Sequence, residues 1–274
     1  MSLPDLLRVF SSKSARTSSF LPSKPTAQLI ILTSAPETSA TWLLDNVFRA
    51  RFAGAGAGCA TEKKVVLVSF LHDFSFHIES MRKYGVDLAA RSRTDEFAFV
   101  DGFSRLLDDP AEAPDGDNVV LSAPATGWKA QISAAMGAAG SSLLVVEAPE
   151  MAVGLGMLSD ADMHYLLMDL QAQSVCTVVV TTPLGEHLDG GPRLQSVLAD
   201  RALAVLSVRP LSTGMARDVT GTVTIERGGA PLFFFGDGRD TDEDTVEAGE
   251  FLFSLGEGAA TSGSSLRVFE KGTV

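Results

Sequence analysis

The sequence predicts an α/β fold: a mostly parallel sheet with helices on both faces and an antiparallel extension toward the C-terminus. Three observations carry this. Short continuous apolar runs recur, as strands buried on both faces require. Between them stand stretches with apolar residues near helical spacing. Beyond residue 201 the strand-like runs follow one another with no room for helices between them.

The first strand is Gln28–Thr33, an apolar run bounded by Pro25 and Pro36. Thr38–Phe52 follows as a helix carrying Trp42, Leu43, Val47 and Phe48, and Gly54-Ala-Gly-Ala-Gly58 is a linker that no helix continues through. Lys64–Phe70 is the second strand, and Phe74–Tyr84 is a helix closed by Gly85. Ser142–Glu147 and Val175–Thr181 are two further buried strands. The segment between them, Ser159–Ala172, is a helix with Ser159 as its cap and Leu166, Leu167 and Leu170 on its apolar face. In the C-terminal third, Ala202–Val208, Thr220–Glu226 and Pro231–Phe235 read as antiparallel strands, the last two joined by a Gly228-Gly229 turn.

The chain has 274 residues, 45% of them hydrophobic and 20% charged, which suits one large globular domain and excludes disorder along its whole length. Residues 1–25 are expected to be a flexible Ser/Pro-rich segment, 26–236 the domain, and 237–274 an acidic and Gly-rich segment with room for a final strand. Asp237–Glu250 holds seven acids and one arginine and is read as a solvated loop. A formal net charge of −12 is the wrong sign for a protein that grips a phosphate backbone over its whole surface. Two cysteines, Cys59 and Cys176, are too few for a disulfide framework or a four-cysteine zinc site and favour a reducing compartment. The N-terminus lacks the apolar core of a secretory signal, and no apolar run approaches the ~20 residues of a membrane span. The expected location is the cytoplasm, with the nucleus as a second one, and no membrane partner is expected.

A strand running straight into a helix is where nucleotide-binding α/β proteins place a glycine-rich phosphate loop. Here that turn reads Thr33-Ser-Ala-Pro-Glu-Thr-Ser-Ala-Thr41, without glycine or lysine, with Pro36 removing an N–H and Glu37 repelling phosphate. No Gly-Lys-Ser or Gly-Lys-Thr occurs anywhere in the chain. The phosphate loop is therefore degenerate, and no cofactor, metal or catalytic residue is assigned.

Glu147 stands at the strand end where such enzymes hold magnesium or water, but it is read first as a strand-end acid, exposed or hydrogen-bonded. Ser69, His72, Asp73 and His77 cluster only along the chain, and Gly-x-Ser-x-Gly is absent, so a hydrolase triad is not supported. The two histidines lie five apart rather than four and are read as surface or half-buried. Asp240–Asp244 opens like a calcium loop, yet Thr245 and Phe251 stand where its glycine and its bidentate acid belong.

The most distinctive segment is Pro210-Leu-Ser-Thr-Gly-Met-Ala-Arg-Asp-Val-Thr-Gly-Thr-Val-Thr-Ile-Glu-Arg-Gly-Gly-Ala-Pro231. On its residues alone it is a strand, a connecting loop, a second strand and a tight turn. It closely resembles the Leu-x-Thr-Gly-x-Ala-x-Asp-Val-Thr-Gly run, ending in Arg-Gly-Gly-Ala-Pro, of the family of the sixth subunit of the Elongator complex. Val66–His72, a strand ending in Ser-Phe-Leu-His, and Leu144–Met151, a strand followed by Glu-Ala-Pro-Glu, resemble two further motifs of that family. Together the likeness spans residues 28 to 235.

The resemblance implies a RecA-like domain lacking the phosphate loop. It also implies an accessory heterohexameric ring made with Elongator subunits four and five, which binds tRNA and assists the catalytic Elongator subcomplex in modifying wobble uridines. By that analogy the loop holding Thr213, Gly214, Arg217, Asp218 and Thr220 is the first choice for contact with a partner or RNA. Arg217 is the cation to test there; a structural pair with Asp218 is weighed equally. Two rival readings remain: a nucleotide-hydrolysing RecA-like ATPase with an unorthodox phosphate site, and a stand-alone adaptor.

Overall fold

In a computed structural model the described residues are 10–12, 17–19, 27–35, 37–53, 64–104, 119–121, 124–181, 194–214, 216, 219–230, 245–246, 248–255 and 266–270. Two short strands come first, β1 (Phe10–Ser12) and β2 (Thr17–Ser19), within the segment expected to be flexible. The alternation then begins with β3 (Gln28–Ser34), α1 (Thr41–Ala53), β4 (Lys64–Ser69), α2 (Phe74–Arg82), α3 (Leu88–Arg93) and β5 (Phe97–Asp101). It continues through β6 (Val119–Val120), α4 (Trp128–Met136), β7 (Ser142–Glu147), α5 (Pro149–Gly154), α6 (Asp160–Gln171), β8 (Cys176–Thr181) and α7 (Leu194–Ala199). The C-terminal part holds β9 (Ala204–Pro210), β10 (Gly221–Arg227), β11 (Thr245–Val246), β12 (Gly249–Leu255) and β13 (Leu266–Glu270).

Ten of these strands form one sheet, in the order β13-β12-β10-β9-β3-β8-β7-β4-β5-β6. From β9 to β6 every neighbouring pair is parallel, whereas β9, β10, β12 and β13 pair antiparallel. This is the predicted α/β architecture, RecA-like in form, with an antiparallel C-terminal extension.

Because side chains alternate across a strand, each buried strand feeds two cores. Ile30 and Leu32, Val65 and Leu67, and Leu143 and Val145 face one side, where Leu43, Leu44, Val47 and Phe48 of α1 pack with Met81 and Leu88. Leu29 and Ile31, Val66 and Val68, and Leu144 and Val146 face the other, against Trp128 and Ile132 of α4, Met163 and Leu167 of α6, and Leu198 of α7.

Ser159 caps α6 as predicted, accepting the N–H of Asp162, but the helix buries Met163, Leu167 and Leu170, leaving Leu166 half-buried. Met163 takes the place because residues 163, 167 and 170 share one face at helical spacing.

The acidic stretch 237–250 is not wholly a loop. Its end enters β11 and β12, because Phe251 and Phe253 follow with strand alternation, and Phe253 is buried 4.9 Å from the Trp42 ring. β12 pairs with β10; Pro231–Phe235 and the linker at 54–58 lie outside the described residues. β11 also pairs antiparallel with β1, which in turn pairs with β2, so part of the first 25 residues is held in a small three-stranded sheet.

Candidate functional site

In open α/β sheets, ligands and partners meet the crevice at the carboxyl ends of the parallel strands. The site features read from the sequence that fall among the described residues lie on that edge; Asp240–Asp244 lies outside them. The turn after β3 leads into α1, Glu147 ends β7, and the loop after β9 leaves the same end.

The turn after β3 is closed on itself. Ala35 N–H donates to the Val208 carbonyl at 2.9 Å, Thr38 N–H to the Ala35 carbonyl at 2.9 Å, and Thr41 N–H to Ser39 Oγ at 3.1 Å. The Thr38 hydroxyl lies 3.2 Å from the Ala35 and Val208 carbonyls. The N–H groups of Ala35, Thr38 and Thr41, which a phosphate cradle could turn outward, are here engaged within the turn and against β9.

Glu147 is 2% exposed, so of the two structural readings the hydrogen-bonded one holds, and its contacts are specific. Register places Ser69, the last residue of β4, directly beside Glu147, the last of β7. The Ser69 hydroxyl donates to Glu147 Oε2 at 2.6 Å while accepting the His72 N–H at 3.0 Å and the Leu71 N–H at 3.3 Å. One hydroxyl thus fixes both the carboxylate and the turn that carries His72.

His72 Nδ1 lies 3.1 Å from Glu147 Oε1, and its ring stacks on Phe76 with centroids 3.8 Å apart. His77, one turn into α2, is 1% exposed, with Nε2 3.2 Å from Glu147 Oε2. That approach is close enough for charge attraction but off the line of a hydrogen bond, so the buried nitrogen has no directed partner. His72 is half-buried, within the sequence expectation, whereas His77 is a core residue and departs from it. α2 starts at Phe74 because Asp73 caps it, accepting the Phe76 N–H at 2.9 Å, and this first turn brings His77 inward.

Burial alone would raise the Glu147 carboxyl, but the contacts from His72, His77 and Ser69 and the charge of His77 outweigh it and hold the pKa at about 2. Asp45 of α1 behaves oppositely. Burial dominates and raises its carboxyl to about 6, against the lowering effect of the Ser80 hydrogen bond at 2.8 Å and of His77 and Lys83. Ser69, His72, Asp45, His77, Ser80 and Glu147 form a polar seam through an otherwise apolar layer.

The loop expected to contact a partner or RNA is a hairpin connection between β9 and β10, with Pro210 opposite Gly221. It lies three strand positions, about 14 Å, from Glu147 across the sheet. Thr213 and Gly214 are exposed at its turn, where Gly214 takes φ +87° and donates its N–H to the Leu211 carbonyl. Thr220 is exposed too, and its hydroxyl accepts the Leu255 N–H at 2.9 Å, tying the loop's end to β12. Arg217 and Asp218 lie outside the described residues.

The glycines of the distinctive segment have steric roles. A Cβ at Gly221 would stand 2.4 Å from the Arg209 carbonyl, and one at Gly228 2.0 Å from the Ala202 carbonyl, so neither position accommodates a side chain as it stands. The two shorter motifs, Ser69-Phe-Leu-His72 and Glu147-Ala-Pro-Glu150, prove to be the two halves of the Glu147 cluster.

The chain is similar to an Elongator complex protein 6 homolog. That protein, from Schizosaccharomyces pombe, is 26% identical over 220 residues, which cover 78% of this chain and 82% of the relative. No family model matches the chain. The similarity extends over most of both chains, as the likeness of the separate motifs implied. Among the described residues no helix is long and apolar enough to cross a membrane.

Proposed function

We propose that the chain is a non-catalytic structural subunit of the Elongator complex, placed in an accessory heterohexameric ring with subunits four and five. In that role it supports tRNA binding and wobble uridine modification by the catalytic subcomplex, in the cytoplasm and the nucleus. The observation that carries the reading is the similarity to an Elongator complex protein 6 homolog over 78% of the chain. The turn after β3 supports a subunit that binds no nucleotide of its own, since it lacks glycine and lysine and the Ala35, Thr38 and Thr41 N–H groups are engaged within the protein. A net charge of −12 supports a minor share in tRNA affinity, which phosphate contacts dominate.

The test is the absolute mass, by light scattering after size exclusion, of the chain co-expressed with subunits four and five from the same source. A single species with two copies of each is expected. A lone 28.9 kDa chain eluting apart from both folded partners would overturn the ring. Stabilisation of the isolated chain by ATP would favour the rival hydrolase.

A further inference from the structure

The Glu147 cluster contains more chemistry than a scaffold needs. One potential ligand atom from each of His72, His77 and Glu147 lies within 4.8 Å of the other two, from three places in the chain: the turn after β4, helix α2 and the end of β7. We propose that His72, His77 and Glu147 bind one divalent transition-metal ion of the borderline class to which Zn²⁺ and Co²⁺ belong.

Donor chemistry selects the class. Two imidazoles and one carboxylate are a set that zinc and its neighbours accept, whereas Mg²⁺ and Ca²⁺ ask for oxygen ligands. Bonds of about 2.0–2.1 Å in a tetrahedron place ligand atoms about 3.3 Å apart, so binding would draw in a set that spans up to 4.8 Å. His72 Nδ1 lies 3.1 Å from Glu147 Oε1 and His77 Nε2 lies 3.2 Å from Oε2, so each histidine faces a different oxygen of the one carboxylate.

His77 supplies the independent observation. Its buried Nε2 faces Glu147 without a directed hydrogen bond, which an ordinary histidine–glutamate contact leaves unsatisfied and a metal would satisfy. The supporting contacts are already formed. Ser69 fixes Glu147 and the His72 backbone, and Phe76 stacks on the His72 ring, the outer holding that metal ligands need.

His77 and Glu147 side chains are 1% and 3% exposed, but that of His72 is 27% exposed, so the site opens to solvent on the His72 side. Three protein ligands with an open fourth position distinguish it from a closed structural zinc site, and water completes the set. The inference concerns this chain alone and does not depend on the ring.

The experiment titrates the full-length chain, stripped with chelator, with Co²⁺ while recording visible absorption, followed by displacement with Zn²⁺. Binding of one equivalent, with the intense bands of a four-coordinate site, is expected. His72→Ala, at the partly exposed position, and Glu147→Gln should each weaken Co²⁺ binding on the order of 100-fold. Far-UV circular dichroism of His72→Ala should remain that of the wild type, and a Zn²⁺-dependent rise in Tm should be present in the wild type and lost in His72→Ala. Absence of stoichiometric binding, or equal binding by the wild type and both variants, would overturn the site.

Discussion

Glu147 and Asp45 are buried carboxyls near the same histidine, yet pH should act on them in opposite directions. Glu147 has its folded pKa held near 2, below the ordinary 4.5, so its stabilising contribution is complete above about pH 4.5 and lost as pH falls toward 2. Glu147→Gln is expected to lower stability by about 2–3 kcal/mol at pH 7 and to flatten the acid limb of the profile. Asp45 is raised from 3.8 to about 6, so its contribution is complete below pH 3.8 and lost as pH rises through 6. Asp45→Asn is therefore expected to raise stability above pH 6, by up to about 3 kcal/mol, and to make it less dependent on pH between about 4 and 7. Urea unfolding of both variants across pH, with chelator present, checks the two signs. Opposite outcomes at either residue would mean that the contacts of the seam do not set its protonation.

At the scale of elements, the distinctive hairpin segment is held by close backbone approach. Gly228→Ala would drive a Cβ into the Ala202 carbonyl and is expected to cost about 1–3 kcal/mol in a denaturant melt, with the α7–β9 connection shifting to make room. Ala148 shows the converse. It holds φ +52°, a conformation glycine adopts without strain, at the turn from Glu147 into α5. Ala148→Gly should therefore be neutral or stabilising by a few tenths of a kcal/mol in the same melt, because the relief of strain is offset by a more flexible unfolded chain.

The central strands are legible in the sequence because burial on both faces writes a continuous apolar run, as in Leu143–Val146. β12 is hidden because its Phe-Leu-Phe alternation follows an acidic stretch that reads as solvent. The Glu147 cluster is hidden for a different reason. Ser69 and Glu147 are 78 residues apart and meet only through the β4–β7 register, which no local spacing encodes. A five-residue separation of His72 and His77 misses one face of a single helix, but His72 precedes the helix and only His77 lies within it.

At the scale of the whole molecule, the carboxyl edge of the parallel sheet carries two different features. Around β4 and β7 lies the polar seam, open to solvent at His72; around β9 lies the exposed hairpin loop with Thr213 and Gly214 at its turn. The loop's end is anchored by Thr220 to β12, and its start by the β9–β3 pairing, so a substitution between these anchors leaves the sheet intact. Arg217 falls in that interval. Arg217→Ala is expected to leave the circular dichroism of the isolated chain unchanged, because the flanking strands β9 and β10 are held by their own pairings. In the proposed ring, co-expressed with subunits four and five, the same variant is expected to weaken either assembly, read by light scattering, or tRNA affinity. If the loss is in tRNA affinity, its salt dependence should fall by about one counterion, because one phosphate contact is removed from a surface whose net charge otherwise repels RNA. If assembly, affinity and salt slope all match the wild type, Arg217 is removed from the proposed contact with a partner or RNA.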